Sequence, residues 1–385
     1  MSTTTSSPSV SPASTPAAPP PSSNPSPTTR RAREPEDDGS VPEDDADTPR
    51  RKKARKPKKD TSFTAAGAAV GMMGDLFRDF QAILDFGLQF IPDTPQETMS
   101  SRDRKYLALY RHALSAAPDI VDEIAKRGPT GTTTLARELE TGRSGVRGVD
   151  IHNIKKAVLT WNRYEPLILP EAKSVRGFNH PECGRLLCPP TYNWSDPEIR
   201  KALQNGSRKY PLGAKNWPRV LWLDEEFNRE NPMDGFMRNR RLILTGRYSL
   251  LGPTACNASG TSKIPTKKPK AKIHRIRSIS PAFIAYTAVI IHFSLYSQES
   301  FGDGATPGTF PYQAFYQSLV RYIEDTMPDN ERSELVAWWT TQIFGYLEDE
   351  PSDIESGAED LTVMGLMKKH AAARITRVTM ATASG

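Results

Sequence analysis

The sequence predicts an all-α protein: one irregular, multi-helix globular domain over about residues 65–350, between a long disordered N-terminal tail and a short disordered C-terminal tail (351–385). Three observations carry this. Apolar residues in the body recur at three- and four-residue spacing, the period of one helix face. Alternating, strand-like runs are almost absent. Ser, Asp or Ser-Pro stands before the periodic segments and Gly or Pro after them, where helix caps and stops belong.

Residues 74–91, G-D-L-F-R-D-F-Q-A-I-L-D-F-G-L-Q-F-I, put Leu76, Phe80, Ile83, Leu84, Leu88 and Ile91 on one stripe, with Pro92 as the stop. Ser100 or Ser101 caps the next helix, and Asp103 suits its first turn. A short helix follows Pro118 and stops at Gly128. Asp150 is expected to cap I-H-N-I-K-K-A-V-L-T-W. Prolines and glycines make 166–190 irregular. Order returns at W-S-D-P-E-I-R-K-A-L-Q-N-G (194–206), with Ser195 or Asp196 as cap, Pro197 in the first turn and Gly206 as stop. W-P-R-V-L-W-L (217–223) reads as a single strand or an extended packed segment, and D-G-F-M-R-N-R-R-L-I-L-T-G-R-Y as a capped helix. Ser280-Pro281 opens the most apolar run (281–296), which is too short to span a bilayer comfortably and reads as a buried helix containing His292. Pro311 opens another helix, and Asp329 caps the last.

The N-terminal tail (1–64) has three parts. Residues 1–29 carry no charge and are rich in Ser, Thr, Pro and Ala, with nothing to offset the entropy of ordering. An acidic block, E-P-E-D-D-G-S-V-P-E-D-D-A-D (34–47), precedes a basic one, P-R-R-K-K-A-R-K-P-K-K (49–59). Such runs repel themselves and stay extended. The basic block, Arg50, Arg51, Lys52, Lys53, Arg55, Lys56, Lys58 and Lys59, has the density of a nuclear signal, which implies an importin-type carrier and a nuclear protein. A solvating tail is the alternative. Thr48-Pro49-Arg50-Arg51 also fits a proline-directed kinase site, where phosphate would partly cancel the basic block.

The formal net charge is +6, of which residues 30–60 contribute +2, so the body is only mildly basic. A second basic segment stands out at 262–277: Lys263, Lys267, Lys268, Lys270, Lys272, Arg275 and Arg277, with no acid among them. It reads either as a loop that contacts phosphates in a sequence-independent, salt-sensitive way or as a plain solvated loop. No recognition-helix or base-stacking pattern accompanies it.

Three cysteines, Cys183, Cys188 and Cys256, make no disulfide framework, and the N-terminus has neither the basic start nor the apolar core of a secretory signal. No membrane partner is expected. The chain lacks the nucleophile elbow, the phosphate-cradling glycine loop, the H-E-x-x-H pair and the C-x-x-C pair, so nothing indicates a catalytic centre or calls for a cofactor. Asp224, Glu225 and Glu226 form either a solvated acidic turn or a divalent-ion site. His180, Cys183 and Cys188 fall in nine residues and resemble half of a zinc site whose second ligand pair is missing, so a structural His/Cys loop is the competing reading.

The succession R-G-F-N-H, L-L-C-P, N-W-S-D-P-E-I-R, N-W-P, A-K-I-H-R, S-P-A-F-I-A-Y, F-Y-Q-S-L and A-W-W-T-T-Q-I-F, from Arg176 to Phe344, resembles a large family of uncharacterised basidiomycete proteins with a domain of unknown function. The resemblance implies a shared fold and brings no activity, cofactor or substrate. It also implies a His and a Cys at the positions of His180 and Cys188, but not a Cys at Cys183. Three functional readings follow: a nuclear, non-enzymatic protein associating with nucleic acid or chromatin through its basic segments; a protein-interaction module; or an enzyme using His180, Cys188 and His274.

Overall fold

The computed structural model describes residues 61–92, 94–256, 268–302, 304–305 and 308–345. The expected nuclear signal, Thr48, both expected tails beyond these limits, Lys263 and Lys267 lie outside the described residues. Within them the protein is all-α, with twelve α-helices and no strand beyond an isolated bridge between Trp222 and Phe236.

The N-terminal layer holds α1 (Thr61–Met73), α2 (Phe80–Gln89), α3 (Ser101–Ala116), α4 (Ile120–Arg127) and the first half of α5 (Gly131–Trp161). Helix α1, T-S-F-T-A-A-G-A-A-V-G-M-M, begins inside the expected tail and shows no amphipathic period, because it is small and apolar all round and buried. It packs on α5 almost backbone to backbone: a Cβ on Gly67 would run into the Leu139 carbonyl, and one on Gly142 into that of Thr64. Helix α2 is shorter than its stripe predicts. Asp75 turns the chain by accepting the Phe77 and Arg78 amides at 2.8 and 2.7 Å, and Asp79 then caps Gln81. Leu76 is buried from this turn, while Leu88 and Ile91 are 42% and 68% exposed. Ser100 caps α3 as expected, and Gly128 ends α4 at φ +66°.

Helix α5 overturns the expected cap at Asp150. It runs through 31 residues, about 46 Å at 1.5 Å per residue. Asp150 sits in its middle with its carboxylate buried, bonded by the Lys270 ammonium and by the Tyr286 hydroxyl at 2.8 Å. Its partners lie more than 100 residues away, which local cap chemistry does not show.

The larger region adds α6 (Pro181–Leu187), α7 (Pro197–Gln204), α8 (Arg240–Leu251), α9 (Lys270–Ile273), α10 (Pro281–Leu295), α11 (Tyr312–Arg321) and α12 (Asp329–Phe344). Asp196 caps α7, and Ser280 caps α10. Every residue of α10 from Ala282 to Leu295 is buried, and α5, α8, α11 and α1 pack around it. The last turn of α11 runs on as a π-helical segment, Tyr322–Thr326. Residues 217–223 are neither strand nor extended throughout: two 3-10 turns, Arg219–Leu221 and Leu223–Glu225, fold this piece back. Helix α8 starts later than expected, at Arg240 after the Asn239 cap. No helix among the described residues is long and apolar enough to cross a membrane.

Candidate nucleic-acid interface

The motif stretch around residues 173–188 joins elements of the fold. Arg176 is wholly buried. Its guanidinium donates to the Ser294 carbonyl at the end of α10 (2.7 Å), to the Lys155 carbonyl in α5 (2.8 Å) and to that of Pro170 (3.3 Å). Lys173 donates to the Tyr296 and Gln298 carbonyls and sits 3.9 Å from the centre of the Phe293 ring. Neither cation has an ion pair among the described residues; backbone carbonyls hold them instead, those on Lys173 lying past the C-terminal end of α10, where the helix dipole is negative. Burial, with Arg176 as a like charge, pulls the Lys173 ammonium down to about 8.

His180 caps α6. Its Nδ1 accepts the amides of Glu182 (3.2 Å) and Cys183 (3.4 Å), and its Nε2 lies 2.7 Å from the Pro166 carbonyl, to which it donates. This engages both ring nitrogens, Nδ1 as acceptor and Nε2 as donor, so no lone pair remains for a metal. Cys183 and Cys188 are buried, and desolvation pushes their thiols up to about 12 and about 11. Cys256 is half-buried, its Sγ near the Leu244 carbonyl, and burial pushes it up to about 12. The H-x2-C-x4-C spacing is thus a helix cap followed by the inward face of that helix. Among the described residues no group of three or more His, Cys, Asp or Glu is placed to hold a metal ion. The acidic turn is structural as well: Glu225, with φ +59°, bonds Arg241, Arg185 and the Asn239 amide, while Asp224 and Glu226 face solvent.

The second basic segment is built around Lys270. Its ammonium reaches the buried Asp150 carboxylate, whose ionised form burial disfavours and Lys270 and Tyr286 favour. Lys270 is therefore an anchor, not an available cation. It pins α9 to α5 and leaves Lys268, Lys272, Arg275 and Arg277 exposed, none with an ion pair among the described residues. Arg275 takes a left-handed turn (φ +55°) that closes α9, with the Ile276 amide donating back to the Ala271 carbonyl at 2.9 Å. His274 is half-buried, and desolvation, with Lys270 beside it, lowers its pKa.

Two clefts lie elsewhere. One, of about 580 Å³, is the more polar and is bounded by α3, by α11 with its π segment, by the α1–α2 turn and by the start of α10. The other, of about 390 Å³, is apolar and presents Trp217, Trp222, Phe227, Phe236 and Met233. Neither is lined by His180, Cys183, Cys188 or His274. The indole nitrogens of the apolar cleft are spent within the fold, Trp217 on Ser318 and Trp222 on the Pro232 carbonyl.

A family of unknown function, DUF6698, matches residues 141–344, just over half of the chain. The chain belongs to this family. No curated protein and no solved structure matches it. The DUF6698 match takes in the Arg176 and His180 bonds, α9 with its exposed cations and the whole apolar cleft, but only part of the polar cleft. Sequence reasoning found the basic segment and missed the anchoring role of Lys270, for which the segment itself carries no signal. It missed the polar cleft because its residues come from four separate elements.

Proposed function

We propose that the protein is a nuclear, non-enzymatic protein that associates with nucleic acid through sequence-independent contacts to phosphate. The observation that carries the reading is the set of four exposed cations around α9, Lys268, Lys272, Arg275 and Arg277, which have no ion pair among the described residues while Lys270 beneath them is tied to Asp150. Lys263 and Lys267 extend the same run in sequence. Engagement of His180 as a cap and burial of Cys188 favour a binding protein over an enzyme. The block from Arg50 to Lys59 favours carriage into the nucleus by an importin-type carrier, and the motifs from Arg176 to Phe344 favour an origin among basidiomycete fungi.

The test is binding of the full chain to a random-sequence DNA duplex across a salt series. Each phosphate contact adds about 0.9 to the slope of log affinity against log salt, so neutralising all four α9 cations to Gln should flatten it by about 3 to 4 and weaken binding. An unchanged slope would remove α9 from the interface. No retardation at low or moderate salt would reject nucleic-acid association and leave the interaction-module reading.

A further inference from the structure

The loop formed by residues 223–235 builds one wall of the apolar cleft and also its edge. It is closed at its base, where the Leu223 amide donates to the Gly235 carbonyl at 2.9 Å, and braced by the Trp222 indole on the Pro232 carbonyl at 2.8 Å. Phe227, Pro232 and Met233 of this loop face a run of aromatic rings: Trp217 stacks on Phe236 with centroids 5.2 Å apart, and Tyr322 meets both in T-shaped contacts. The donors of these rings are occupied within the fold, since both indoles are engaged as described and the Tyr322 hydroxyl donates to the Met233 sulfur at 2.7 Å. A polyproline strand, whose carbonyls have no partner of their own, finds no ring donor here, whereas the apolar side chains of a helix need none. The same loop carries Asp224, Glu226, Glu230 and Asp234, all exposed and without an ion pair among the described residues, while Glu225 is tied to Arg241 and Arg185. Against these four carboxylates stand two cations, Arg229 in the loop and Lys215 in the lining, which leaves a surplus of two negative charges beside the apolar wall.

The chain itself contains a segment of the complementary kind: residues 361–378, L-T-V-M-G-L-M-K-K-H-A-A-A-R-I-T-R-V, which lie outside the described residues. Met364, Met367, Ala371, Ile375 and Val378 recur at the spacing of one helix face, bordered by Lys368 on one side and Arg374 on the other. The segment holds Lys368, Lys369, Arg374 and Arg377 with no acid and no proline. Methionine suits a cleft walled by rings, through its flexible chain and polarizable sulfur. The length of chain also fits. Helix α12 starts beside the cleft, where burial and the nearby Glu331 carboxylate push the Tyr322 hydroxyl up and Glu334 pairs with Arg238 at 2.6 Å. From Glu331 the helix rises about 21 Å to Gly345, and residues 346–360 span up to about 50 Å when extended. We propose that residues 361–378 fold back on this cleft as an amphipathic helix, with Met364 and Met367 against the aromatic wall and Lys368 and Arg374 against the unpaired carboxylates of the loop. The protein thereby covers its own apolar cleft, and a partner reaches that surface only by displacing the segment. The inference is separate from α9 and does not depend on the nucleic-acid reading.

Amide hydrogen exchange of the full chain, read by mass spectrometry at two protein concentrations about tenfold apart, tests it. The amides of residues 361–378 should exchange at least about tenfold more slowly in the parent than in the Met364→Asp/Met367→Asp variant, and equally slowly at both concentrations. Two cleft variants should release them as the tail variant does. One is Met233→Asp, in the wall. The other is Asp224→Asn/Glu226→Gln/Glu230→Gln/Asp234→Asn, confined to exposed side chains, in which the buried α10 amides should stay as protected as in the parent. Amides of 361–378 that exchange as fast in the parent as in the tail variant would overturn the proposal. So would protection that falls on dilution, which belongs to a second copy, and so would protection kept in either cleft variant, which places the segment elsewhere.

Discussion

The N-terminal layer and the DUF6698 region are both helical, but they hold together by different means. In the layer, α1 and α5 meet through glycines, and the small core around Phe63, Val70, Phe80, Leu135 and Leu139 is sealed by close backbone approach. The DUF6698 region surrounds α10 with aromatic side chains and fixes its end with buried cations on backbone carbonyls, Arg176 and Lys173 above all. The difference shows two ways to specify helix packing, one by shape and one by directed hydrogen bonds. The second constrains particular residues more tightly, because each removed donor leaves several acceptors unpaired.

The largest expected effect falls on the region built from hydrogen bonds. Arg176→Leu keeps bulk but strands the carbonyls of Ser294, Lys155 and Pro170, and should lower the unfolding free energy in urea by about 3 to 5 kcal/mol. A loss below about 1 kcal/mol would show that shape alone holds the end of α10. Gly67→Ala makes the matching test of the N-terminal layer. Its methyl group meets the Leu139 backbone, which cannot yield as a side chain would, so a loss of about 2 to 3 kcal/mol is expected. A neutral or stabilising result, the usual gain of Gly→Ala in an open helix, would mean that α1 and α5 are not in contact there.

Acid should separate the two regions next. His292 on α10 is buried among Phe310, Tyr312 and Phe315, and desolvation, with Lys173 as a like charge, lowers its pKa from 6.5 to about 3. Between those values the unfolded chain binds the proton and the native one does not, so stability falls as pH drops below 6.5. At about 1.4 kcal/mol per unit the contribution lost by pH 5 is about 2 kcal/mol. His292→Gln should flatten this part of the profile, and an identical slope in parent and variant would assign the acid sensitivity elsewhere. The smallest effect belongs to the α6 cap. His180→Ala should cost about 1 kcal/mol, and His180→Asn, a preferred capping residue, should recover most of it. If Asn were no better than Ala, the cap would not be why a histidine stands there.

The parts of this architecture legible in the sequence are those governed by neighbours a few residues apart. Ser100, Gly128, Asp196, Ser280 and the apolar run of α10 announced four helix ends and the central helix, because capping and burial of a continuous run are local chemistry. What escaped depends on distant partners. Helix α1 has no polar face to reveal its period, and Gly142, Gly145 and Gly148 interrupt the helical pattern along α5, whose part before Asp150 had no assignment. Asp150 looked like a cap since Lys270 and Tyr286 lie far along the chain. The basic segment was legible as composition, whereas the split among its described residues, one anchor and four exposed cations, was not. The same holds for His180, whose residue type and spacing fitted a half-built zinc site until its two ring nitrogens were placed.

The continuity of α5 across the start of the DUF6698 match has a practical consequence. A fragment cut at residue 141 would begin in the third turn of that helix and discard Ala68, Met72, Met73 and Leu76, which complete the larger hydrophobic cluster. Such a fragment should express as aggregate, while one starting before Thr61 should stay in solution. The DUF6698 match and the first helix that packs on its core begin about 80 residues apart, and recombinant work on this family should be planned from that helix.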